Sequence, residues 1–126
     1  MTAVLVDSDI LIEVMTGRNA DVISRWILLS ASDAPILYSP VSVAELWAGA
    51  RPAEYETLNN LFAALACAPI DEATGRQAGN WVRQFRRSHA VEVADALIAA
   101  GAVGNSAALW TRNRKHYPMK EVSFFD

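Results

Sequence analysis

The chain has one cysteine and only two histidines. A lone Cys67 cannot close an intramolecular disulfide, and no Cys/His spacing around it suits structural zinc. Cys67 is therefore expected to be a buried apolar residue. No apolar stretch reaches the ~20 residues that a membrane helix needs. The N-terminus runs straight into a strand-like segment with no basic leader, so a cytoplasmic location is the expectation. Internal repeats, low-complexity tracts and linkers are also lacking, and residues 1–126 are expected to form a single domain. An excess of positive charge is missing too. Eleven Lys and Arg against 14 Asp and Glu give a net charge of −3, which alone argues against a nucleic-acid partner.

What is present is enough apolar material for a real core. Hydrophobic residues make up 52% of the chain and charged residues 20%, the balance of a folded protein without staples. Ala3 to Val6 suits a short buried strand. Ser8 or Asp9 then caps a helix through about Met15, stopping at Gly17. Val22, Ile23, Trp26, Ile27 and Leu29 repeat at helical spacing between Ala20 and Ser32. Ile36-Leu37-Tyr38 reads as a second strand and Val41 to Gly49 as a helix, with Ser42 and Glu45 spaced as a capping box. Pro52 suits the first turn of a helix to about Ala66, with Tyr55, Leu58, Leu61, Phe62 and Leu65 on its inner face. Cys67 to Ile70 reads as a third strand, Glu72 to Ser88 and Glu92 to Val103 as helices. Ala108 to Thr111 is expected as a fourth strand and Val122 to Phe125 as a fifth. Strands alternating with helices predict an α/β sandwich around a mostly parallel sheet of four to five short strands.

Three carboxylates stand at the edges of these apolar segments: Asp7 after the first strand, Glu45 and Asp95 near the starts of helices. A carboxylate in such a place is costly to desolvate unless it is paired, hydrogen-bonded or bound to a metal. In parallel α/β sheets, functional groups gather at the carboxyl ends of the strands. Helix N-termini lower the cost of bringing acids together there. Convergence on one hard cation would allow metal-assisted hydrolysis of a phosphodiester. Ser8 and Thr111 are placed to hydrogen-bond a ligand or a phosphate oxygen, and Asn113 to orient a carboxylate. Each residue also has a structural alternative. Asp7 can begin a helix, Glu45 can complete the capping box, Asp95 can face a helix dipole, and Asn113 can cap a turn.

Charge distribution softens the objection to a polyanion. Asp7, Glu45 and Asp95 account for the whole net charge, so a bound divalent ion leaves a less repulsive surface. Arg112, Arg114, Lys115 and His116 form one basic cluster, and Arg83, Arg86 and Arg87 another. Both also read as solvated faces. Asp9 is expected on the solvent side of the first helix turn, and Glu92 at the cap of the helix carrying Asp95.

Four segments, three of them bearing these acids and the fourth Asn113, resemble the motifs of the PIN domain, and within it those of VapC-type toxins from bacterial and archaeal toxin–antitoxin pairs. The similarity runs over nearly the whole chain. Its parts are Val4-Leu5-Val6-Asp7-Ser8-Asp9-Ile10-Leu11-Ile12, Val41 to Gly49 around Glu45, Ala94-Asp95-Ala96-Leu97-Ile98-Ala99-Ala100, and Leu109-Trp110-Thr111-Arg112-Asn113 running on to Tyr117. The resemblance implies a three-layer α/β/α sandwich and a magnesium- or manganese-dependent endoribonuclease. It makes Asp7, Glu45 and Asp95 metal ligands, with Asn113 as a further catalytic position where many relatives carry a fourth acid. It also implies an RNA substrate, a cognate antitoxin protein and a homodimer. Trp26, Trp47, Leu58 and Phe62 are candidate contact residues, although core packing explains most such residues.

Three other functions fit the residues less fully. One is an RNA-processing nuclease of the same chemistry, and another a binding module with a degenerate site. A phosphotransfer receiver would need Asp71, after the third strand, as its phosphoacceptor.

Overall fold

Alternation within three-residue strands builds two separate cores. In the computed structural model, which describes residues 1–126, β1 (Val4–Val6) sends Leu5 to one face and Val4 and Val6 to the other. β4 (Ala108–Trp110) divides Leu109 and Trp110 in the same way. Both faces are covered, so these strands are apolar throughout instead of alternating with polar residues.

The sheet is parallel, in the order β3-β2-β1-β4, with β2 at Ile36–Tyr38 and β3 at Ala66–Cys67. Helices α5 (Glu72–His89) and α6 (Val93–Gly104) pack on the Leu5 face. Residues from α1 (Ser8–Thr16), α2 (Ala20–Ala31), α3 (Pro40–Ala48) and α4 (Tyr55–Ala63) fill the Val6 face. This is the expected three-layer sandwich. Alanines on α6 let it lie close to the sheet, and a methyl group on Gly101 would sit 3.4 Å from Leu5 Cδ1. The strand order reverses between β1 and β4, and residues past their carboxyl ends meet at that switch point.

Several local expectations change. The residue capping α3 is Ser39, whose side chain accepts the Val41 N–H, so Ser42 and Glu45 do not form a capping box. Pro40 pre-sets the helical backbone and starts the helix earlier than the box predicts. Glu45 therefore lies beyond the first turn. Pro52–Glu54 is a short 3₁₀ turn that precedes α4, and Tyr55 is exposed at the rim, beside the Trp47 ring. The third strand keeps only Ala66 and Cys67, and Cys67 is exposed on the sheet edge instead of buried. The expected fifth strand shrinks to one parallel bridge between Phe124 and Leu109. Leu58 and Phe62 are buried in the core and not free for a partner, while Trp26 stacks on Trp110. Gly17 ends α1 in the left-handed conformation, as its position suggested.

No helix is long and apolar enough to cross a membrane. Leu5 is fully buried between β1 and α6. Leu5→Ala should cost about 2–5 kcal/mol of stability, measured by urea unfolding. A cost below about 1 kcal/mol would mean that this layer is not close-packed.

Candidate active site

Asp7 is where the chain turns from β1 into α1. Its backbone N–H still belongs to the sheet, donating to Trp110 O at 2.9 Å, while its carbonyl accepts the Ile10 and Leu11 N–H groups of the new helix. The side chain caps α1 and is only 7% exposed. Three donors hold the carboxylate. The Ser8 N–H reaches Oδ1 at 2.7 Å, while the Thr111 hydroxyl at 2.8 Å and the Tyr117 hydroxyl at 2.9 Å both reach Oδ2. No Lys, Arg or His is ion-paired with it. A buried carboxylate held by neutral donors, with no counter-charge, suits a site that takes a cation.

Glu45 is tied to the same corner. The Ser8 hydroxyl donates to Glu45 Oε1 at 2.7 Å and lies 2.7 Å from the Ser42 hydroxyl, which is fully buried. With Ser8 donating to the carboxylate, Ser42 supplies the proton between the two hydroxyls. Ser42 thus anchors the Glu45 side chain from within α3. Sequence spacing assigned Ser42 to a cap and missed this, because the partner is 34 positions away.

Asp95 stands in the first turn of α6, where its Oδ2 accepts the Glu92 N–H at 3.4 Å and lies 3.5 Å from His116 Nδ1. Glu92 is the N-cap residue, as expected. The Tyr117 hydroxyl lies within reach of the charges of three acids and donates to one of them, Asp7. Burial, followed by the charges of Asp7, Asp95 and Asp9, pushes its pKa far above the ordinary phenol value, so it stays a proton donor. Tyr117 was quoted only as the end of a motif in the sequence, and its role in the site was not foreseen.

Asp9 does not sit on the solvent side. Its Oδ2 accepts the Arg112 N–H at 3.0 Å and the Asn113 amide at 3.2 Å, and its Oδ1 is sealed from solvent with no hydrogen-bond partner. Burial, then repulsion from Asp7, raises its pKa to about 6. Asn113 also donates its backbone N–H to the Thr111 hydroxyl at 3.0 Å. Ser8, Thr111 and Asn113 are thus all occupied in orienting carboxylates.

The basic residues are less available than the sequence suggested. Arg112 pairs with Glu13 at 3.1 Å. Arg114 pairs with Asp126 at 2.8 Å and lies over the Phe124 ring. Lys115, Arg86 and Arg87 are exposed, and Arg83 reaches Asn80 on its own helix. Asp71 caps α5 through the Thr74 N–H and hydroxyl, and borders a cavity lined by the C-terminal end of α6, away from Asp95. Glu121 is the one other acid lining that cavity, and Asp71 is engaged as a helix cap, which leaves the receiver alternative without support.

The donors suit a hard divalent cation, being all oxygen and including the orphaned Asp9 Oδ1. No three Asp, Glu, His or Cys side chains stand together as a ready-made cluster. Water would then complete the coordination of a bound ion, the habit of magnesium, which uses one or two carboxylates. Beside the acids, a groove of about 330 Å³ runs between α1, α3 and α4, lined by Ile12, Met15, Glu45, Leu46 and Leu58. Ile12 also borders a concavity with Asp9, Glu13, Arg112 and Asn113.

The PIN domain profile matches residues 4–123. Ribonuclease VapC10 of Mycobacterium tuberculosis is 40% identical over 119 residues, which is 94% of this chain and 88% of that protein. Ribonuclease VapC19 of the same organism is 32% identical over 116 residues, 91% of this chain and 92% of that one. The chain belongs to the PIN domain family and, within it, to the VapC type. The fold also matches VapBC-1 from nontypeable Haemophilus influenzae, with a TM-score of 0.81, 19% identity and coverage of 99% and 98% of the two chains. Ribonucleases of the VapC type are metal-dependent.

In metal-free protein, the raised pKa of Asp9 makes the folded state bind a proton more tightly than the unfolded state between about pH 4 and 6. Stability from this group is full below pH 4 and declines as pH rises through about 6. Asp9→Asn should flatten that decline and stabilise the metal-free protein by ~1 kcal/mol at pH 7, after allowing for solvent screening. Melting curves with chelator at pH 4 to 7 measure it, and an unchanged slope would place the repulsion elsewhere.

Proposed function

We propose that this protein is a metal-dependent endoribonuclease, the toxin of a toxin–antitoxin pair, with Asp7, Glu45 and Asp95 as its catalytic acids. The observation that carries the reading is the buried Asp7 carboxylate, fixed by three donors and lacking any counter-ion, beside a second carboxylate with an orphaned oxygen. The similarity to Ribonuclease VapC10 supports the reaction class. Magnesium or manganese fits the all-oxygen donor set.

Asp7, Glu45 and Asp95 would hold the cation, one or two of them directly and the rest, with the free oxygen of Asp9, through its waters. When bound, such an ion supplies Lewis-acid activation of water and neutralises charge that builds on the phosphoryl group. The rest is done by the chain. Ser8 and Ser42 hold Glu45, Thr111 and Tyr117 hold Asp7, and Asn113 steers Asp9, so the carboxylates need little rearrangement at the moment of reaction. Neutral Asn113 in place of an acid lowers the charge available for a second cation. His116, beside Asp95, would offer a hydrogen bond to a phosphate oxygen. RNA would meet exposed Lys115, Arg86 and Arg87 first, while Arg112 and Arg114 would exchange their carboxylate partners for phosphate.

A cognate antitoxin and a homodimer complete the reading. They are supported by the fold shared with VapBC-1, and a nuclease of this kind would act on cytoplasmic RNA. The purified protein should cleave RNA with magnesium or manganese and not with excess chelator. Asp7→Asn and Asp95→Asn should each lower the cleavage rate by more than about 100-fold in protein that still folds, as checked by circular dichroism. Cleavage that persists in chelator would overturn the metal reading, and RNA binding without cleavage under every divalent ion would overturn the nuclease.

A further inference from the structure

Tyr117 reaches the site from an unexpected direction. After β4, residues Arg114–His116 make a single 3₁₀ turn, closed by the Tyr117 N–H on Arg114 O at 2.9 Å. The turn sends Tyr117 back under the sheet end, where its side chain joins the Leu5 core beside Met119 and Val122. It is 3% exposed, yet its hydroxyl is not wasted in an apolar pocket, because it donates to Asp7 Oδ2 at 2.9 Å across 110 positions of sequence. Burying a phenol hydroxyl without a partner costs several kcal/mol on order of magnitude, so the pairing constrains both groups.

Counting acceptor sites sharpens what this bond does. An ionised carboxylate offers roughly four lone-pair positions, two on each oxygen. Oδ2 is filled by Thr111 and Tyr117, and Oδ1 is half filled by the Ser8 N–H. The unfilled position belongs to Oδ1. Without the Tyr117 hydroxyl, Oδ2 would also have an open position and the carboxylate a freer rotation about its terminal bond.

We propose that Tyr117 is a positioning residue of this site: its hydroxyl, together with that of Thr111, occupies Asp7 Oδ2 and leaves Oδ1 as the oxygen presented to the divalent cation. The proposal rests on the metal-dependent nuclease reading and extends it to a residue that never touches RNA or the reacting phosphate. The ring and the hydroxyl have separate tasks. The ring fills the core, whereas the hydroxyl sets the ligand.

Tyr117→Phe keeps the ring and removes only the donor. Manganese binding to the RNA-free protein, followed by calorimetry, should weaken about 10- to 100-fold. RNA cleavage should fall by a similar factor at limiting manganese and return close to wild type at saturating manganese. A purely structural role would lower the melting temperature and depress cleavage equally at every manganese concentration, and that result would overturn the proposal. Unchanged affinity in a folded variant would overturn it as well. A second measurement needs no variant: with tyrosine labelled at Cζ, magnesium should shift one buried carbon resonance of the three tyrosines, leaving Tyr38 and Tyr55 in place. The absence of any shift in a protein that binds magnesium would also sink it. Wild-type protein that binds neither ion would instead remove the metal reading itself, and the positioning role with it.

Discussion

Asp7 holds a carboxylate inside the protein without a positive partner, and much of the site is built to make that possible. A bare carboxylate of this burial would be strongly destabilising. Hydrogen bonds from a backbone N–H, a threonine and a tyrosine offset the cost, and the N-terminus of α1 adds its partial positive charge. Those donors come from α1, from the end of β4 and from the turn after β4. The charge therefore ties three separate segments to one point, and the arrangement has a further place for a cation.

The sheet makes this meeting possible. β1 and β4 are adjacent and parallel although more than 100 positions separate them, so residues following their carboxyl ends lie side by side. The start of α6 reaches the same end, where the charge of Asp95 acts on the Tyr117 hydroxyl that donates to Asp7. Glu45 needs a different device because it lies beyond the first turn of α3. The chain of hydroxyls from Ser42 through Ser8 supplies it. The apolar cores stabilise the fold on both faces, while the polar network at the strand ends selects the geometry of the acids.

Much of the architecture was legible in the sequence because strands buried on both faces are apolar runs and amphipathic helices repeat at their own period. The helix over Glu72–His89 and the stop at Gly17 followed from local signals. Local signals failed where two of them competed. Ser42 and Glu45 have capping-box spacing, but Ser39-Pro40 starts the helix earlier, and the box dissolves. Cys67 looked like core because apolar neighbours surround it, yet an edge strand of two residues leaves it exposed. The C-terminal apolar run pairs at a single position instead of forming a strand.

The acids themselves were visible in the sequence, since a carboxylate at the edge of an apolar segment is a local anomaly. Sequence alone also set the fold class, the order of elements and the family, all of which depend on patterns within short windows. Tertiary structure decided which hydroxyl serves which carboxylate. It brought Tyr117 to Asp7 and Ser42 to Ser8, sealed one oxygen of Asp9, and turned Arg112 and Arg114 toward Glu13 and Asp126. The reason is one of range. Hydrophobic periodicity and capping act over a few residues, whereas the orientation of a buried charge is set by donors that reach it only after the sheet has closed.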